Sequence, residues 1–105
     1  MVDTIELCPV TALAENAPMR FHPLGSEPIM LCRHRGVVHA LADTCSHGMA
    51  SLSDGEVEDG KIFCPFHGGS FDLSTGQPVD RPCTIPVKRF AVAERAGMIV
   101  LVKDV

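Results

Sequence analysis

The chain has 105 residues and a net charge of −4, with nine Lys and Arg against 13 Asp and Glu. That length suits one domain and is too short for two independent cores, and no apolar run approaches the roughly 20 residues of a membrane span. No Lys/Arg cluster provides a nucleic-acid footprint, and Met1-Val2-Asp3-Thr4 lacks the basic start of an export signal, so a cytoplasmic protein is expected.

Short alternating segments between turn residues, without a sustained helical period, predict an all-β chain. Thr4 to Cys8 reads as a first strand, Pro9 to Ala14 as one helical turn and Pro18 to His22 as a second strand. A hairpin follows, Pro28 to Arg33 and Val37 to Asp43, reversing at His34-Arg35-Gly36, where glycine accepts a positive φ. Met49 to Leu52 suggests a single helical turn, and Glu56 to Gly60 an acidic, solvated turn. Lys61-Ile62-Phe63 and Gly69 to Leu73 pair as brief antiparallel strands. Pro86 to Ala93 and Met98 to Lys103 form the last hairpin, turning at Glu94-Arg95-Ala96-Gly97. Eight to ten strands follow, arranged as a small antiparallel β base, barrel or sandwich, over residues 1–43 and 87–105. Residues 44–86 are expected to form a loop-rich subdomain carried on that base.

That segment holds the chemistry. Cys45-Ser46-His47-Gly48 and Cys64-Pro65-Phe66-His67-Gly68 each offer one thiolate and one imidazole. Such ligands suit iron–sulfur or zinc sites. Zinc modules, however, usually pair cysteine with cysteine and histidine with histidine, whereas each loop here mixes one of each. A mixed loop fits a two-metal target, with its cysteine on one metal and its histidine on the other. Gly48 and Gly68 leave room for backbone amides to donate to cluster sulfides. Five cysteines is an odd count, and in a reducing compartment disulfides are not expected. Cys8 and Cys32 read as small core residues, and Cys83, in Arg81-Pro82-Cys83-Thr84-Ile85-Pro86, as a packing residue more than a ligand. His22, His34 and His39 have no spacing partner and read as ordinary surface or strand residues.

Cys45-x-His47-Gly48 with Cys64-Pro65-Phe66-His67-Gly68 resembles the Rieske [2Fe–2S] motif. Over nearly the whole length the chain looks like the soluble Rieske ferredoxins of bacterial ring-hydroxylating dioxygenase systems. The resemblance implies one [2Fe–2S] cluster, with Cys45 and Cys64 on an inner iron and His47 and His67 on an outer iron near solvent. It implies a monomeric one-electron carrier between a ferredoxin reductase and a terminal oxygenase, docking transiently at the cluster tip. It performs no substrate chemistry itself, since no nucleotide loop, flavin motif or mononuclear iron domain is recognisable. A small subunit of assimilatory nitrite reductase, or a ferredoxin for another Rieske-type monooxygenase, has a similar pattern. The Rieske proteins of cytochrome bc complexes brace their clusters with a disulfide; Ala50 and Phe66 stand at those positions. They also place two hydroxyl donors where this chain has Gly69 and Phe71. Fewer donors stabilise the reduced charge less, which implies a potential near the lower end of roughly −150 to +300 mV.

Overall fold

The segment Ile29–Ala42 is the middle layer of the molecule, and its sequence explains why. Ile29, Met30, Leu31 and Cys32 are all fully buried, so neither face of this strand meets solvent. Successive side chains of a strand point to opposite faces. Ile29 and Leu31 accordingly enter one apolar cluster with Cys8, Leu13, Ala40, Ile99 and Leu101. Met30 and Cys32 enter another, with Leu41, Leu52, Ile62, Phe71, Leu73 and Val87. Each large aliphatic side chain buried this way contributes about 1.5–3 kcal/mol. The expectation of a single undivided core is thus refined: two clusters share one hairpin as their common wall, and Phe90 packs against both.

The structure, a computed structural model, describes residues 2–46, 48–66 and 68–104. Its strands are β1 (Val2–Pro9), β2 (Met19–Phe21), β3 (Ile29–His34), β4 (Val37–Ala42), β5 (Glu56–Glu58), β6 (Lys61–Phe63), β7 (Ser70–Asp72), β8 (Pro78–Asp80), β9 (Val92–Arg95) and β10 (Met98–Asp104). Two 3₁₀ turns, Val10–Ala12 and Leu52–Asp54, interrupt them. The strands form three antiparallel sheets, ordered β1-β10-β9, β2-β3-β4 and β5-β6-β7-β8. The all-β reading therefore holds. The third sheet and the two cysteine loops flank the outer apolar cluster, on the far side of the β3–β4 hairpin from the β1-β10-β9 sheet.

Several local expectations change. Arg35-Gly36, Asp59-Gly60 and Ala96-Gly97 all have positive φ at both residues, the two-residue turn that matches strand twist. The Asp59-Gly60 turn converts the acidic stretch Glu56 to Gly60 from an open turn into a hairpin, with Glu56–Glu58 paired to Lys61–Phe63. Its carboxylates remain exposed. The 3₁₀ turn sits at Leu52–Asp54 rather than at 49–52, because fully buried Leu52 faces the core. Pro78–Asp80 is an added edge strand, where a proline costs no ladder bond. The segment expected as Pro86 to Ala93 divides in two. Lys88 to Phe90 runs beside β4, with Ala42 N–H donating to Lys88 C=O and Phe90 N–H to Ala40 C=O, before β9 joins β10.

Candidate metal centre

The first loop leaves β4 through Asp43, which is 1% exposed and fully engaged. Its N–H donates to Pro28 C=O at 3.0 Å, and its C=O accepts from Leu52 N–H at 2.7 Å. Its Oδ1 accepts from Ser53 N–H at 2.8 Å, and Oδ2 pairs with Arg20 Nε at 3.3 Å. Thr44 and Ser51 then bridge, and Cys45 N–H donates to Ala50 C=O at 2.9 Å.

The second loop joins β6 to β7. Phe63 and Ser70 are the last paired residues, and Cys64 N–H donates to Gly69 C=O at 2.7 Å. Beneath it, buried Ser70 donates its hydroxyl to Asp80 Oδ2 at 2.6 Å, while Asp80 N–H donates to Ser70 Oγ at 3.2 Å. Lys61 Nζ reaches the same carboxylate oxygen at 3.1 Å. The Ser70 hydroxyl first, and then Lys61, hold the Asp80 carboxyl below the usual carboxylate range.

The loops therefore close alike. In each, the cysteine N–H bonds the carbonyl five residues on, and a glycine N–H bonds the cysteine carbonyl: Gly48 to Cys45 and Gly68 to Cys64, both at 3.3 Å. The different spacings, Cys-x-His and Cys-x-x-His, fit this common frame because Met49 follows the first histidine–glycine pair while Phe66 precedes the second. The glycine amides expected to face sulfides are thus engaged within their own loops.

Cys45 and Cys64 are buried in the outer apolar cluster, together with Cys83 of the proline loop. Cys83 N–H donates to Asp80 C=O at 3.2 Å. Burial, then the neighbouring Cys45 and Cys64 sulfurs, push the Cys83 thiol up to about 12. Ser46 Oγ donates to Ile85 C=O and ties the proline loop to the first loop. Around the buried thiols, three apolar side chains stand exposed, one from each segment: Met49 (88%), Phe66 (65%) and Ile85 (62%).

His47 and His67 lie outside the described residues. Among the described residues, no three of His, Cys, Asp and Glu converge on a single ion. Cys8 and Cys32 are core thiols, as expected. His34 Nδ1 meets Asn16 Oδ1 at 2.7 Å, and burial lowers the His39 pKa.

Comparison with known families decides the class: residues 3–91 match the Rieske [2Fe-2S] domain. The chain belongs to the Rieske [2Fe-2S] family. Ferredoxin CarAc of Metapseudomonas resinovorans is 36% identical over 95 residues, covering 90% of this chain and 89% of that protein. The Sphingomonas yanoikuyae B1 ferredoxin superposes with a TM-score of 0.93 at 31% identity, covering 97% of this chain and 100% of the other. A chain of the solved complex of reduced oxygenase and oxidized ferredoxin in carbazole 1,9a-dioxygenase matches with a TM-score of 0.88 at 35% identity, covering 93% and 91%.

As a Rieske domain the chain carries one two-iron, two-sulfide cluster. The described part of the site fits that group. Two thiols from two like loops are sunk in an apolar floor. The two residues expected in place of a disulfide differ in setting, since Ala50 is buried and Phe66 is exposed. Sequence reasoning missed the supports: Asp43, Arg20, Ser70 and Asp80. Only Asp43 left a signal, an acid ending the apolar run Ala40-Leu41-Ala42 directly before the first loop. Cys83 was singled out, but its place against Cys45 was not foreseeable from spacing.

Proposed function

We propose that this Rieske ferredoxin is a one-electron carrier whose cluster is held by Cys45, His47, Cys64 and His67. It passes electrons from an NAD(P)H-dependent reductase to a terminal ring-hydroxylating oxygenase and transforms no substrate of its own. When bound, the cluster supplies a centre that accepts and releases a single electron. The chain's part is geometric and electrostatic. Cys45 and Cys64 would hold one iron from the buried floor, and His47 and His67 would hold the other. The observation that supports this reading is the matched closure of the two loops, each of which buries its cysteine.

The segments around those thiols also present Met49, Phe66 and Ile85 to solvent. Such a rim suits brief apolar docking of a redox partner, typically below about 1,200 Å² of buried surface. The solved complex of a similar ferredoxin with its oxygenase supports that class of partner. A monomeric shuttle in the cytoplasm completes the reading, since an odd count of five cysteines suits metal ligation in a reducing compartment better than a disulfide framework. We also take residues 44–86 as the cluster-binding unit and 1–43 with 87–105 as its base.

The test is spectroscopic. Dithionite-reduced protein should give the EPR signal of a Rieske cluster, and His47→Ala or His67→Ala should each abolish it. A native signal in either variant refutes the ligand set. A colourless protein holding zinc and no iron refutes the function.

A further inference from the structure

The most exposed sulfur among the described residues stands on the first cysteine loop. Met49 is 88% exposed, whereas Met30 is fully buried, Met98 half-buried and Met19 38% exposed. All five cysteines are buried, the most open of them at 6%. One thioether is therefore far more open to a dissolved oxidant than any other described sulfur. The loop fixes it in that posture. Cys45 N–H bonds Ala50 C=O at 2.9 Å and Gly48 N–H bonds Cys45 C=O at 3.3 Å, one closure on either side of Met49. Ala50, the next residue, is buried in the outer apolar cluster, so the loop sends residue 50 inward and residue 49 outward. Phe66 and Ile85 complete the exposed apolar set, and Ser46 Oγ, donating to Ile85 C=O, ties the proline loop to the loop of Met49.

We propose that Met49 is a modification site at which hydrogen peroxide oxidises the docking rim and thereby weakens partner docking. The weakening rests on the reading of this chain as an electron carrier; the oxidation does not. In the step, a sulfur lone pair attacks one peroxide oxygen, so that an S–O bond forms as the O–O bond breaks. The second oxygen leaves with both protons as water. The thioether loses two electrons to the peroxide and becomes a sulfoxide. That product is polar where the thioether is apolar, and enzymatic reduction of the sulfoxide reverses it. A partner seated on the rim would then have to desolvate the S=O dipole instead of burying a flexible apolar chain. Because the changed group points outward from a closed loop, the buried floor and the fold should not feel it.

The experiment titrates the cluster-loaded protein with hydrogen peroxide and reads peptide mass, visible absorption and retention on a phenyl resin. Met49 should gain one oxygen before Met19, Met30 or Met98, with the cluster absorption intact and the retention reduced. Met49→Gln, polar without any oxidant, should show the reduced retention from the start, and Met49→Leu should hold its own retention through the titration. Electron transfer is then read with the oxygenase of carbazole 1,9a-dioxygenase as the acceptor, the partner class seen with a similar ferredoxin. The oxidised protein should need a several-fold higher concentration for half-maximal transfer, with the maximal rate unchanged. The rate of Met49→Leu, whatever its value, should not respond to peroxide. Oxidation first at another methionine, or bleaching of the cluster before Met49 is modified, overturns the site. Oxidised Met49 with unaltered half-saturation overturns the effect on docking. Absence of transfer from the unoxidised parent refutes the carrier reading for this class of partner and the docking effect with it, while the order of oxidation still decides the site.

Discussion

Both cysteine loops are closed by the same two backbone bonds, but the chain supports them from different distances. The loop around Cys64 is local: β6 and β7 pair directly through Ile62–Phe71 and Phe63–Ser70, so the hairpin delivers the loop already formed. The loop around Cys45 has no such ladder beyond the Thr44–Ser51 bridge. It depends instead on Asp43, which gathers Pro28, Leu52, Ser53 and Arg20 from three separate stretches. A conserved closure geometry within one molecule can thus be reached by ladder pairing or by one buried carboxylate. The second route exposes the first loop to single-residue failure.

The largest expected effect comes where the two supports touch. Gly55 follows the 3₁₀ turn of the first loop, and a Cβ there would stand 1.8 Å from the Phe63 carbonyl oxygen, one residue before Cys64. Neither backbone can yield without moving a loop. Gly55→Ala should cost about 3 kcal/mol, the upper end for overpacking, and should lower iron content in parallel. Urea unfolding with iron analysis checks this, and a variant of parental stability and full iron content would sever the proposed link between the loops.

Arg20→Ala should break the comparison on one side only. It leaves the Asp43 carboxylate buried with Ser53 N–H as its remaining side-chain partner. Fully buried pairs lose 3–5 kcal/mol when one partner goes. Arg20 is 50% exposed, so solvent screening reduces the expected cost to about 2 kcal/mol. Hydrogen exchange should show the loss first at Leu52 and Ser53 amides, with Cys64 N–H unaffected. Faster exchange at Cys64 alone would mean that the two loops are not independently supported.

The same contrast explains what was legible beforehand. The β6–β7 hairpin is written in adjacent residues, Lys61-Ile62-Phe63 and Ser70-Phe71-Asp72, and the sequence reading found it. Cys45, His47, Cys64 and His67 stand at fixed spacings within two short segments, so the motif was readable without any tertiary contact. Arg20 reaches Asp43 across 23 positions, and Cys83 joins the apolar cluster of Cys45 across 38; no local period encodes either. The Glu56–Glu58 strand failed for another reason. Its acidic side chains signal solvent exposure, which an edge strand satisfies as well as a turn does, and Asp59-Gly60 was the overlooked sign of a hairpin.

The smallest effect sharpens the comparison from the other loop. Asp80 supports the second loop through Ser70 and Lys61, and those partners hold its pKa below the ordinary value. A depressed carboxyl pKa contributes stability that is complete above the unfolded value, about 3.9. That stability is lost as pH falls through the lower folded value. Asp80→Asn should therefore be less stable than the parent at pH 6, with the difference closing as pH drops below about 3.9. Asp72, whose pKa is also lowered, chiefly by the Ser74 hydroxyl, titrates in the same direction but is present in both proteins, so it cancels in the comparison. Asp80 and Lys61 are partly exposed, so the gap should be modest and should shrink further in high salt. The gap should also be reported by second-loop amides, Cys64 and Ser70, before those of Leu52 and Ser53. A pH-independent difference would assign Asp80 a packing role and leave the second loop supported by its ladder alone.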